Sequence, residues 1–159
     1  MLRGLVQTNQ WTIGQAHISQ FPVATYKKAH AHGPGAHVII LSGAGYTLMW
    51  PNSWDDPIRY DWEPGTLIVP PNAVYHQHFN TSATPARYLA FRHSGSPRNS
   101  QGVLLCFISK RLGGDQLDYA DETPQVGQMF ADELARHGVT PRMEDHYRKE
   151  RETLPPKRG

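Results

Sequence analysis

His30-Ala31-His32-Gly33-Pro34-Gly35-Ala36-His37 is the stretch whose reading decides the fold, together with a distant one, Gly65-Thr66-Leu67-Ile68-Val69-Pro70-Pro71-Asn72-Ala73-Val74-Tyr75-His76-Gln77-His78-Phe79-Asn80. Five of the nine histidines lie in these two segments, so the residue type is concentrated there and not scattered. On a strand, residues two apart point to the same face. His30 and His32 therefore form one same-face pair, and His76 and His78 form another. The Gly-Pro-Gly run after the first pair is a turn signal, and strand parity can restart at His37. If the two strands lie side by side, three or four imidazoles converge on one point. That arrangement suits one divalent transition metal.

With these residues in view, the chain resembles the cupin superfamily. The first cupin motif reads G-x5-H-x-H-x3,4-E-x6-G and the second G-x5-P-x-G-x2-H-x3-N. Gly65, Pro71, His76 and Asn80 match the second, with Ala73 where a glycine is usual. His30 and His32 match the first. His37 stands at the glutamate's distance from His32, whereas counting back from Gly43 lands on Ala36. The two anchors differ by one residue, and a one-residue slip reverses the face of a strand. The resemblance covers roughly residues 12 to 115. It implies His30, His32 and His76 as metal ligands and His37 as the candidate for the glutamate's place. Between His32 and Asp55 there is no acidic residue, so the implied site is all-histidine, with three or four imidazoles.

The length of 159 residues allows one domain with a real core. Hydrophobic residues at 38% and charged residues at 19% suit a globular, water-soluble chain. The formal net charge of +2 is too small to argue for nucleic acid, and no periodic helix carries a basic run. No stretch is apolar for long enough to span a membrane. The single cysteine, Cys106, lies in an apolar run and reads as a buried small hydrophobe. With one cysteine and no secretory start, a reducing, cytoplasmic setting is expected.

Many short strands punctuated by turns argue for an all-β sandwich or barrel. Alternation marks strands at Trp11–Ile13, Ala16–Ser19, Ile58–Trp62, Thr66–Val69, Val74–Phe79 and Arg87–Arg92, with Val103–Ile108 as the last. Val38–Leu41 and Tyr46–Trp50, joined by Ser42-Gly43-Ala44-Gly45, read as a hairpin. Cupins are double-stranded β-barrels of jelly-roll type, and the resemblance agrees with this count. Residues 1–115 are expected to form the barrel domain, and residues 116–159 a C-terminal helical extension with a loose tail. Thr123 can cap a helix that has Pro124 at its first position. Val126, Met129, Phe130 and Leu134 fall on one face, and Gly138 ends the helix. That face packs on the barrel exterior or on a neighbouring subunit; a homodimer with the helix from Thr123 to His137 near the contact is expected. Residues 142–152 carry four basic and four acidic residues and read as a solvated extension. A barrel with a helical tail also resembles one half of bacterial two-cupin proteins.

Neutral imidazoles leave the charge of a divalent ion uncompensated, and such a site attracts an anionic oxygen ligand. Imidazole suits Fe, Ni, Cu and Zn better than Mg or Ca, and the sequence does not choose among the four. His78 shares the face of His76 and is the candidate acid/base group near the metal. Arg87 and Arg92 have opposite parity, so at most one of them faces inward unless a bulge intervenes; an inward arginine would suit a carboxylate. Trp50, Trp54, Trp62, Tyr75, Tyr88 and Phe91 are candidates for core or cavity wall. The function expected is a metal-dependent enzyme, foremost a dioxygenase of a small enolic, phenolic or hydroxy-acid substrate. The alternatives are a non-catalytic binding module and a metal-dependent isomerase or lyase.

Overall fold

The computed structural model describes residues 4–6, 14–50, 57–93 and 95–157, with backbone alone for 4–6, 14, 15 and 93. The strand expected at Trp11–Ile13 and the position of Trp54 lie outside them. Among the described residues are β1 (Gly4–Val6), β2 (Gly14–Phe21), β3 (Ala36–Ser42), β4 (Gly45–Trp50), β5 (Ile58–Trp62), β6 (Leu67–Ile68), β7 (Tyr75–Asn80) and β8 (Ala86–His93). They form two antiparallel sheets. One has the order β1-β2-β8-β3-β6 and the other β5-β4-β7. Two helices follow, α1 (Pro124–Arg136) and α2 (Glu144–Thr153). The expected all-β double-stranded barrel of jelly-roll type, with a C-terminal helix, is what the chain forms.

Two expectations fail. β3 and β4 are not a hairpin, because they belong to different sheets. Gly43, at φ 82°, turns the chain out of the first sheet. The Ala44 carbonyl then accepts from the N–H groups of Thr81 and Ser82, which follow directly on β7 of the second. Alternation reveals a strand but not its partner. Val103–Ile108 is likewise no strand; Leu105–Phe107 is a short 3-10 turn. The Asn99 side chain accepts from the Gln101 and Val103 N–H groups, which withdraws those donors from any ladder.

The alternation of β3, β4 and β8 sorts their side chains into two cores. Inside the barrel lie Phe21, Val38, Ile40, Met49, Trp62, Ile68, Tyr88 and Ala90. On the outer face of the β5-β4-β7 sheet, Tyr46, Leu48, Trp50 and Phe79 meet Val126, Phe130 and Leu134 of α1. Phe79 stacks on Tyr26 at 4.9 Å and on Tyr46 at 4.5 Å. The apolar face of α1 is thus covered by the chain's own sheet. Trp50 and Tyr75 belong to this outer cluster, Phe91 is exposed, and Trp62 and Tyr88 line the interior.

A second polar layer fastens the C-terminal segment, and residues 142–152 are less solvated than their composition implies. Lys28 pairs with Asp118 at 2.7 Å and with Glu150 of α2 at 2.5 Å. Glu150 also accepts from the N–H groups of Tyr119 and Ala120. Glu122 accepts from the Tyr26 hydroxyl at 3.0 Å and from Gln77 Nε2 at 2.6 Å. Burial raises its carboxyl to about 8, against the pull of the two donors. The sign follows from linkage: the folded state holds this proton more tightly than the unfolded chain does. The stabilisation is complete below the unfolded value near 4.5 and is lost as pH rises through about 8. A Glu122→Gln protein is therefore expected to gain in Tm over the wild type between about pH 5 and pH 8.5, by about 4 °C or more. Thermal melts across that range check it, and a pH-independent difference would contradict it.

Candidate metal centre

The edge of β7 is where the histidines meet. His30 N–H donates to the His76 carbonyl at 3.1 Å, and His76 N–H returns to the His30 carbonyl at 3.0 Å. The two residues are a directly opposed antiparallel pair, so both rings rise on one face. Their ring centroids are 4.4 Å apart. His32, two residues on from His30, lies 4.8 Å from His76 by the same measure. One ring nitrogen from each of His30, His32 and His76 lies within 4.8 Å of the other two.

Hydrogen bonds fix two of the rings. His30 Nδ1 meets the Lys28 carbonyl at 3.1 Å and His76 Nδ1 the Val74 carbonyl at 3.0 Å. A nitrogen that donates to a carbonyl carries the proton, which leaves Nε2 of both rings as a lone-pair donor. His32 Nδ1 is buried with no partner. All the rings are held neutral. His30 falls well below the usual imidazole range through burial and then the His76 charge. His32 is lowered to about 3 by burial, His76 and Arg92. His76 is lowered to about 4 by burial first, with Arg92 adding to it and the Val74 carbonyl opposing. Three converging neutral imidazoles, one with an orphaned nitrogen, fit a transition metal and do not fit a hard oxygen-seeking ion.

His37 does not join them. Ala36 points inward at 2% exposure, and His37 is exposed on the outer face opposite Phe91. The turn at Gly33–Gly35 restarts the strand so that the count back from Gly43 holds, and alanine takes the inward place. His78 is inside. Its Nδ1 meets Thr47 Oγ1 at 2.8 Å, its ring lies 5.6 Å from His76 and 5.5 Å from Tyr88, and it stands outside the three-histidine group. Of the two arginines, Arg92 faces inward at 7% exposure and Arg87 is exposed.

The sequence reading missed Lys27. Tyr26 bridges Phe79 and His30 bridges His76, so residues 27, 28 and 29 lie opposite only 77 and 78. This bulge changes the parity. It puts Lys27 inside with His30, whereas Lys28 turns out to Asp118 and Glu150. No local pattern marks such a bulge.

The turn before β7 positions His32, since Ala73 N–H donates to the His32 carbonyl at 3.1 Å. Ala73 has φ 59°, in the left-handed region, which accounts for the glycine usual at this motif position. An Ala73→Gly protein trades a left-handed penalty of about 1–2 kcal/mol for an unfolded-state entropy cost of about 0.4–1 kcal/mol. A small rise in denaturation midpoint is expected with metal binding unchanged; a fall in the midpoint would contradict it.

No protein-family profile matches the chain, and no curated protein does. Among solved structures, a cupin 2 conserved barrel domain protein from Rhodopseudomonas palustris aligns over 70% of this chain and 75% of its own, at 18% identity and a TM-score of 0.50. The chain has the cupin fold. A cupin-2 domain from Rhodospirillum rubrum covers 63% of this chain and 66% of its own, at 14% identity and a TM-score of 0.46. The capsular polysaccharide assembling protein CapF from Staphylococcus aureus covers 57% of this chain at 16% identity and a TM-score of 0.49, and only 28% of its own length is involved. At such identities the likeness is one of fold. Among the described residues no helix is long and apolar enough to cross a membrane.

Proposed function

We propose that this cupin holds one divalent transition metal (Fe, Ni, Cu or Zn) through His30, His32 and His76. There it acts on a small organic anion, enolic, phenolic or a hydroxy acid, with insertion of dioxygen as the reaction. The observation that carries this reading is the convergence of three neutral imidazoles with no carboxylate bonded to any of them among the described residues. When bound, a redox-capable ion would supply activation of dioxygen and of the coordinated anion, and Zn would supply polarisation alone.

The chain's own groups have distinct tasks. The Lys28 and Val74 carbonyls aim the His30 and His76 lone pairs. His78, steadied by Thr47, can take or give a proton beside the ligand site. Val38, Ile40, Met49 and Ala90 provide an apolar wall that keeps water from a reactive anion. Metal-free protein reconstituted anaerobically with Fe(II), Ni(II) or Zn(II) and given catechols, salicylates, β-diketones and 2-hydroxy acids tests the reading. Spectral change followed by oxygen uptake with a redox-capable form supports it. Binding without turnover across every metal and compound would leave a binding module, and oxygen-independent conversion an isomerase or lyase.

A further inference from the structure

Two cationic side chains enter the barrel interior, and neither meets a carboxylate among the described residues. Lys27 Nζ donates to Ser19 Oγ at 2.5 Å and to the Tyr88 hydroxyl at 2.7 Å, with the Tyr88 ring 4.3 Å below it. Arg92 is almost fully buried, and its Nε has no partner. Among the described residues its Nη2 finds the Ser96 hydroxyl at 3.3 Å and the Cys106 sulfur at 3.5 Å. Asp118, Glu122 and Glu150 bond on the opposite side of the β7 edge. An unpaired buried cation is costly, and the cost is offset when a ligand brings the missing charge.

The placement of the two cations is ordered. Tyr88 and Arg92 are four residues apart on β8 and face the same way, so their Cα atoms are about 13 Å apart. Lys27 stands at the Tyr88 end, where the Tyr88 ring lies 5.5 Å from that of His78. Arg92 stands at the other end: it bonds Cys106, whose carbonyl accepts from Gln116 Nε2, and Gln116 bridges His30. The His78 ring, 5.6 Å from that of His76, links the Tyr88 end to the three-histidine group.

We propose that this interior is built for a small organic dianion, with one acidic group beside the histidines at Arg92 and the second at Lys27 and Tyr88. The proposal narrows the substrate class of the function argued above and rests on that reading only where the first group also meets the metal. A mono-anion satisfies one cation and leaves the other without a counter-charge. A dianion neutralises both, and selectivity arises because the wrong ligand strands a charge.

The test is calorimetric titration of the full chain, metal-free and Zn-loaded, with succinate, glutarate and adipate against the monocarboxylates of equal carbon number. The best dicarboxylate is expected to bind at least about tenfold tighter than its monocarboxylate in both forms, since its second carboxylate meets a cation that the monocarboxylate leaves without a counter-charge. Lys27→Met should remove that preference, and Arg92→Met should weaken both classes. The wild-type comparison stands alone if a variant fails to fold. Equal affinity for the two classes overturns the proposal. So does a preference seen only with Zn and surviving Lys27→Met, which would be chelation by the ion alone. A dicarboxylate preference in a protein that takes up no metal would support this inference while refuting the metal reading.

Discussion

A His76→Ala protein is expected to lose metal affinity by roughly a hundredfold or more, because even the partners that orient a ligand are worth 10–100-fold. His76 is 2% exposed, opposes His30 directly and has its proton fixed by the Val74 carbonyl. Its removal leaves two imidazoles and an open side, which no other described histidine fills: His78 is tied to Thr47 and His37 is on the outer face. His30→Ala and His32→Ala should behave alike, and His37→Ala should match the wild type. Metal stoichiometry by elemental analysis after tag-free purification, with competition against a chelator, measures all four. Full occupancy in the His76 variant, or a large loss in the His37 variant, would overturn this geometry.

Phe130→Ala should have the largest effect on stability. Phe130 is 1% exposed and packs on the Tyr26 ring at 5.1 Å and the Phe79 ring at 5.8 Å. Truncating a buried phenylalanine costs about 3–5 kcal/mol, the transfer term plus the cavity. For a domain of this size that is a fall in Tm of roughly 6–20 °C. The helix should not melt alone. Leu117 N–H donates to the Ala29 carbonyl and Ala31 N–H to the Asp115 carbonyl, so the segment leading to α1 is laddered to the strand that carries His30. Far-UV circular dichroism and tryptophan fluorescence are therefore expected to report one coincident, lowered transition. Two separated transitions would show that α1 and the barrel are independent units.

Local chemistry in the sequence determined much of this. The His-x-His pairs face one side because alternation on a strand needs no partner, and His30, His32 and His76 meet as that alternation and the motif spacing require. The apolar stripe of α1 between a proline and a glycine was equally plain. Tertiary structure decided what depends on phase and partner. β3 and β4 have the pattern of a hairpin, yet Gly43 sends them to opposite sheets. His37 and Ala36 differ only in where the turn at Gly33–Gly35 restarts the count. The bulge at residues 27–29 admits Lys27 to the interior, and the packing of the C-terminal segment buries Glu122 and Glu150 among hydrogen bonds. Parity is a local property that every turn and bulge can reset. The hydrogen-bond partners that fix the new phase lie far along the chain, where no window of sequence holds both.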